Sequence, residues 1–383
     1  EPEWCERIVA ALDEATKIRL ISEVPLGAFL SGGIDSSAVV ALMARHSATP
    51  VKTYSIGFEE EDYSELEYAR IVAKRYGTDH HEFIVKPDAL SVLPELVRRY
   101  GEPFADASAV PSYYVARETR KHVTVALNGD GGDENFAGYL RYLPHRFYGM
   151  YDLLPPPIRH AAASAVGVLG LANASNTLVR RAAKFIRNGG RDPSERYLQW
   201  VCFFDPDAKS AIANDRLARS AGASFHSETL LYDAIREADG PEELDRLLAA
   251  DVRTYLADDL MVKMDIASMA NSLEARSPFL DHRLMELAAQ IPADLKLRGT
   301  TTKYILKKAL KPLLPDEILT RGKRGFGIPV DRWFRGELGP LLRDAVRPDE
   351  PALKTWFRPG AVSQLVAEHA SGKVNHATRL WAL

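Results

Sequence analysis

Two short stretches in this chain combine glycine with acidic and hydroxyl side chains. The first is Ser31-Gly32-Gly33-Ile34-Asp35-Ser36-Ser37. Its glycines let backbone N–H groups converge on one small concavity, which suits a phosphate or pyrophosphate. Ser36 and Ser37 add hydroxyl donors, and a helix starting there would add its positive end. Asp35 would repel phosphate unless a divalent cation lies between. Mg2+ held by one or two carboxylates and by phosphate oxygens removes that conflict. No Gly-Lys-Ser/Thr follows, so the loop is not a Walker A motif, and γ-phosphoryl transfer is disfavoured. The bland alternative is a plain turn in which Asp35 or Ser36 caps a helix.

The second stretch is Asn128-Gly129-Asp130-Gly131-Gly132-Asp133-Glu134. If both loops lie at one sheet edge, Asp35 and Asp133 can share one or two Mg2+ ions. Asp130 is then left for acid–base or positioning work. The alternative is a structural acidic turn, and EF-hand spacing is absent. A third stretch, 321–327 (RGKRGFG), packs three cationic side chains and three glycines into seven residues. Such a loop can close over an anion; otherwise it is a solvated turn.

These loops need a scaffold to bring them together. Short apolar runs at 24–30, 51–58, 81–85 and 123–127 alternate with helical patterns at 36–45, 66–76, 89–100 and 112–121. Strand–helix alternation at this spacing predicts a Rossmann-like α/β fold: a parallel sheet with helices on both faces. After the Pro155-Pro156-Pro157 break, helical periods dominate, at 242–272, 283–290 and 302–314. The expected division is an α/β nucleotide domain over 1–150 and a mostly helical region over 151–383. Arg276 and Asp281 are expected to pair and fix a turn.

Composition narrows the function classes. Lys and Arg number 49 against 52 Asp and Glu, a net charge of -3, which lacks the field of a general nucleic-acid binder. The only cysteines, Cys5 and Cys202, form neither a disulfide framework nor a C-x-x-C pair, which fits a reducing cytoplasm. No apolar run reaches the roughly 18 residues of a membrane span. The start at Glu1 rather than Met reads as a piece cut from something longer.

The motifs together resemble the synthetase domain of glutamine-dependent asparagine synthetases, in the N-type ATP pyrophosphatase superfamily. SGGIDSS resembles its pyrophosphate loop, and GDGGDENFAGY its second signature. The segments 259–281 (DLMVKMDIASMANSLEARSPFLD), 302–306 (TKYIL) and 321–329 (RGKRGFGIP) are similar to further signatures of the same enzymes. The resemblance implies ATP and Mg2+ as cofactors. A substrate carboxylate, aspartate in the family, attacks the α-phosphorus to give an acyl-adenylate and pyrophosphate; ammonia then forms the amide and AMP leaves. It implies Lys303 and Asp130 as catalytic residues and Asp35 and Asp133 as metal ligands. Leu30, Ser31, Gly32, Gly33, Ser36, Ser37, Ile56, Asn128, Gly129 and Lys323 would then contact the nucleotide. Implied partners are the small carboxylic acid, ammonia, and a glutaminase domain in cis or trans. The reading includes no nucleic acid and no membrane, and it allows a homodimer. Related enzymes that use another acid or an internal amine, as β-lactam synthetase does, share the same motifs. A non-catalytic ATP-binding module is the alternative from another class. Three features depart from the family pattern. The amidotransferase domain and its N-terminal cysteine are absent, so glutamine hydrolysis is not expected of this chain. Asp130 stands where the family has Glu, and Ala107 where it has Arg before an A-S-x-P stretch.

Overall fold

The computed structural model describes residues 1–58, 65–85, 89–171, 177–322, 327–347 and 349–383. Five parallel strands form one sheet: β1 (Leu26–Phe29), β2 (Lys52–Phe58), β3 (Asp79–Val85), β4 (Val125–Leu127) and β5 (Glu274–Arg276), in the order β3-β2-β1-β4-β5. The order reverses between β1 and β4. In an open parallel sheet, the loops leaving two such strands diverge to opposite sides and leave a crevice between them, where ligands bind. Register sets Ala28 of β1 beside Leu127 of β4, so the loops that follow both strands leave the sheet at the same level.

Alternation along the strands feeds two cores, because successive side chains point to opposite faces. Ala28 and Leu127 join one core with Ile8 and Leu12 of α1 (Pro2–Ile18), residues 38–43 of α2 (Ile34–His46), and Ala69 and Val72 of α3 (Leu66–Tyr76). Phe29 and Ala126 face the other, with Tyr54, Leu273, and Ala116 of α5 (Ala109–Arg120). Helix α4 (Ala89–Tyr100) and the helix Val262–Met269 pack against α5 on that second side.

The strand β5 lies in the stretch beyond residue 150 expected to be mostly helical, and no signal in the sequence marks it. It is three residues long, Glu-Ala-Arg, and has no apolar alternation of its own. Pairing with β4, Val125 against Glu274, recruits it to the sheet edge. The expected pair Arg276–Asp281 does not form. Arg276 donates to the backbone carbonyls of Arg19 and Ile21, and Asp281 pairs with Arg19 at 3.0 Å.

The compact units are discontinuous in the chain. One comprises Glu1–Tyr139 with Asp251–Pro329; the other comprises Leu140–Ala250 with Val330–Leu383. The physical reason is the first core: Leu284, Leu287, Ile305, Leu306, Leu310 and Ile318 come from the later segment and cover α1 and α2. The second unit is mostly helical, with an apolar cluster of Leu342, Val346, Val362 and Leu380 and a stacked aromatic group around Tyr142, His145, Tyr148 and Tyr197. Among the described residues no helix is long and apolar enough to cross a membrane.

Candidate functional site

The first loop leaves β1 and turns into α2, whose N-cap Gly33 is extended. The loop is braced by its own hydroxyls. Ser31 Oγ accepts from the Gly33 N–H at 3.2 Å and lies 3.0 Å from Ser36 Oγ, which in turn donates to the Gly33 carbonyl at 3.2 Å. Gly32 has φ +69, and a Cβ there would meet the Tyr68 backbone at 2.5 Å, so both conformation and space demand glycine. Leu30 is tied to β2, since its N–H donates to the Tyr54 carbonyl at 2.8 Å and Ser55 Oγ donates to its carbonyl. Ile56 lies further along β2, half-buried. The buried Ser37 hydroxyl has no hydrogen-bond partner among the described residues.

The second loop leaves β4 and enters the one-turn helix α6 (Gly132–Asn135). Asn128 is buried and organises it. Its amide donates to Asp130 Oδ2 at 2.8 Å, and its carbonyl oxygen accepts from Ser277 Oγ. Asp130 is thereby oriented by its neighbour, half-buried beside the crevice.

Lys303 joins the two loops. Its ammonium bonds to Asp35 and lies 2.8 Å from Asp133 Oδ1, with the lysine side chain 5% exposed. Burial pulls the Lys303 pKa down, but the charges of Asp133 and Asp35 and their hydrogen bonds outweigh it, so the ammonium is held above its ordinary value. The expected helix 302–314 is shorter, Tyr304–Leu310, and Lys303 is its N-cap with φ +53. Lys303 is therefore no solvent-facing helix lysine. It occupies a left-handed conformation that costs a residue with a Cβ of order 1–2 kcal/mol. Ala137, at φ 54 and next to Gly138, has the same strain.

Glycines make room for this triad. A Cβ on Gly132 would strike the Asp35 carboxyl, and one on Gly129 would meet Asp35 Cβ at 2.8 Å. A Cβ on Gly138 would fall onto Asp133 and Lys303. The glycines of the second loop are thus spent on close approach to the acid of the first.

Asp35, Asp133, Asn128, Gly129, Asp130 and Lys303 converge, and the Ser31–Ser37 loop adjoins them. Lys323 lies outside the described residues. Sequence reading missed Arg321, which donates to the Gly32 carbonyl at 2.9 Å, pairs with Glu65, and lies over the Tyr68 ring at 4.2 Å. The cationic loop was conspicuous, but nothing in it indicated partners 289 positions away. The segment 259–281 also yielded an unforeseen pair: Lys263 donates to Asp106 at 2.9 Å, beside Ala107. Burial opposes the Asp106 charge, yet Lys263 and the Ser108 N–H and hydroxyl hold its pKa below the usual carboxylate value. Cys5 lies within α1, where burial pushes its thiol up, the opposite of an activated nucleophile.

Comparison with known proteins gives one family model, Asparagine synthase, matching residues 7–383. Asparagine synthetase (glutamine-hydrolysing) 1 of Bacillus subtilis strain 168 is 29% identical over 384 residues, covering 100% of this chain and 58% of that protein. A putative asparagine synthetase (glutamine-hydrolysing) of Mycobacterium bovis is 35% identical over 384 residues, covering 99% of this chain and 56% of its own length. Amidase chyE of Penicillium rubens is 27% identical over 390 residues, covering 90% and 55%. The chain thus spans little more than half the length of these relatives.

Proposed function

Given that the chain belongs to the asparagine synthase family, we propose that it is the synthetase part of an ATP-dependent amide-forming ligase. In this reading a substrate carboxylate attacks the α-phosphorus of ATP, pyrophosphate leaves, and ammonia displaces AMP from the acyl-adenylate. The observation that carries it is the meeting of Asp35, Asp133 and Lys303 at the point where the strand order reverses.

Each residue has a task that its surroundings support. The Ser31–Ser37 loop and the N-terminus of α2 offer N–H and hydroxyl donors to the pyrophosphate. Lys303, held charged by its two carboxylates, places a fixed cation where negative charge accumulates as the α-phosphate is attacked. Asp130, aimed by Asn128, orients the incoming amine or accepts its proton.

The residues fit Mg2+ bound together with a nucleotide. Two carboxylates converge, and Gly132 and Gly138 leave space against them that a Cβ would fill. Among the described residues no group of three or more acidic, histidine or cysteine ligands forms a self-sufficient cage. That pattern suits a cation that takes its remaining ligands from phosphates and water. Asp35 and Asp133 would hold it, and it would supply charge neutralisation on the triphosphate.

The acceptor is a carboxylic acid, with aspartate as the family's precedent. Ala107 favours a second reading, in which another acid is used, because no guanidinium stands there to clamp a second carboxylate. Nor does neighbouring Lys263 supply one, since it is engaged by Asp106. Incubation with ATP, Mg2+, ammonia and a panel of amino acids tests both readings. Pyrophosphate and AMP should appear with one acceptor. ADP and phosphate in their place would overturn the adenylation chemistry, and turnover without ammonia would assign an internal amine as nucleophile.

A further inference from the structure

The second unit carries an exposed apolar surface that the proposed reaction does not use. The helix Pro156–Val168 (PPIRHAAASAVGV) contains Ile, Val and five alanine or glycine residues, yet only Val166 is buried. A helix this apolar is ordinarily covered. Ile158, Ala161, Ala165 and Val168 recur at helical spacing on one exposed face, which Leu169 extends. Val168 is 87% and Leu169 67% exposed. The helix Thr177–Asn188 packs alongside and adds Leu178, 74% exposed.

The inner face of this hairpin is fastened. Phe185 stacks on Tyr148 with centroids 4.4 Å apart, Lys184 lies 4.7 Å from the centroid of the Trp200 ring, and Ala183 and Asn188 are buried. Those contacts hold the helix Thr177–Asn188 with Leu178 outward, and Val166 is the buried residue of the helix beside it.

Charge identifies the occupant. From residue 153 to residue 191 there is no Asp or Glu, while Arg159, Arg180, Arg181, Lys184, Arg187 and Arg191 all fall within the stretch. The whole chain is slightly acidic, so this excess is local. Arg181 and Arg187 are exposed on the same helix as Leu178. We propose that the helices Pro156–Val168 and Thr177–Asn188 form a peripheral docking surface for an anionic lipid bilayer. Arg159 pairs with Asp152, Arg191 lies 3.8 Å from Asp207 and Lys184 faces Trp200, so the outward charge rests on Arg181 and Arg187. Apolar side chains beside such cations match a surface that presents acyl chains beneath negative headgroups. A second copy of the chain is a poorer fit. A two-fold contact through this face would set Arg181 and Arg187 against their own symmetry mates.

The purified chain should sediment with phosphatidylcholine vesicles containing phosphatidylglycerol and stay in solution with pure phosphatidylcholine. Raising salt should release it. The double variant Val168→Glu/Leu169→Glu, and separately Arg181→Glu/Arg187→Glu, should each weaken vesicle binding by about 10-fold or more. All four positions are exposed, so circular dichroism and melting temperature should match the parent chain. Absence of binding to anionic vesicles at low salt would overturn the proposal, as would binding indifferent to both double variants. A dimer in analytical ultracentrifugation that Val168→Glu/Leu169→Glu dissociates, without vesicle binding, would instead assign the face to self-association.

Discussion

The ammonium of Lys303 lies 2.8 Å from Asp133 and also bonds Asp35, 268 positions earlier in the chain. One buried cation thus pairs with two half-buried acids in the loops that follow neighbouring strands. Removing it takes the ammonium away from both carboxylates, and breaking a buried ion pair on one side costs about 3–5 kcal/mol. Lys303→Ala should abolish turnover and lower the melting temperature. Mg2+ should restore part of that stability, because the exposed demand for positive charge remains. Thermal melts with and without Mg2+ read this directly. A variant that melts like the parent in the absence of metal would remove the triad from the account. Since the two carboxylates hold the ammonium above its ordinary pKa, no limb of the rate profile between about pH 6 and 9 should vanish in Lys303→Arg for want of a titrating lysine.

Gly138 tests the same arrangement without touching charge. Its added Cβ would occupy space now held by Asp133 and Lys303. Gly138→Ala should cost about 1–3 kcal/mol of stability, as overpacking does, and reduce the rate of pyrophosphate release far more than a change of one methyl group on the surface would. Gly149→Ala, where a Cβ meets nothing within 4 Å, is the control. Equal behaviour of the two variants would show that the close approach carries no functional weight.

Arg321 acts on the first loop from behind. It donates to the Gly32 carbonyl at 2.9 Å, pairs with Glu65, and lies over the Tyr68 ring. These contacts set the orientation of the loop that would receive the pyrophosphate, while the guanidinium itself is engaged by Glu65. Arg321→Ala should therefore raise KM for ATP several-fold and change kcat less. Arg321→Lys should rescue poorly, because one ammonium cannot reproduce a fork with two partners and a stacked plane. Steady-state kinetics at varied ATP distinguishes this from a direct catalytic role, in which kcat would collapse.

Much of this geometry was legible before any coordinates. The strands β1 to β4 announce themselves through apolar runs, and the glycine turns after β1 and β4 are where the acids and hydroxyls of the candidate site are concentrated. Local signals end there. β5 is a strand only because β4 offers it a partner, and its Glu-Ala-Arg pattern says nothing of that. Arg276 and Asp281, five positions apart, look like natural partners, yet both are captured by the end of α1, at Arg19. Lys303 reads as one more helical residue, since lysine seldom adopts positive φ and nothing in 302–306 signals that it does so here. The return of the chain to the first unit is hidden for a related reason. The proline break is real, but the chain returns to the first core at 251–329, and which core an amphipathic helix will cover is not written in its period.

Glu1 supplies the last test, at a distance from the triad. Its carboxylate receives Lys308, Arg298 at 2.8 Å and Tyr304 Oη at 3.3 Å. Arg298 also donates to Tyr304 Oη at 2.8 Å and lies over its ring. Tyr304 follows Lys303 directly, so this clasp fixes the first turn of the helix that presents the lysine. The hydrogen bonds from Lys308 and Arg298 lower the Glu1 pKa from 4.5 to about 2. For an acid whose folded pKa is depressed, the stabilisation is present above the unfolded value and is lost as pH falls through the folded one. The difference in melting temperature between the parent and Glu1→Gln should therefore be constant above about pH 5 and shrink between about pH 4 and 2. Because Glu1 touches neither loop, Glu1→Gln should lower kcat with little change in KM for ATP. An unaltered kcat alongside the expected melting profile would make the clasp a purely structural fastening. A melting difference that grows as the pH falls would contradict the charge assignment itself.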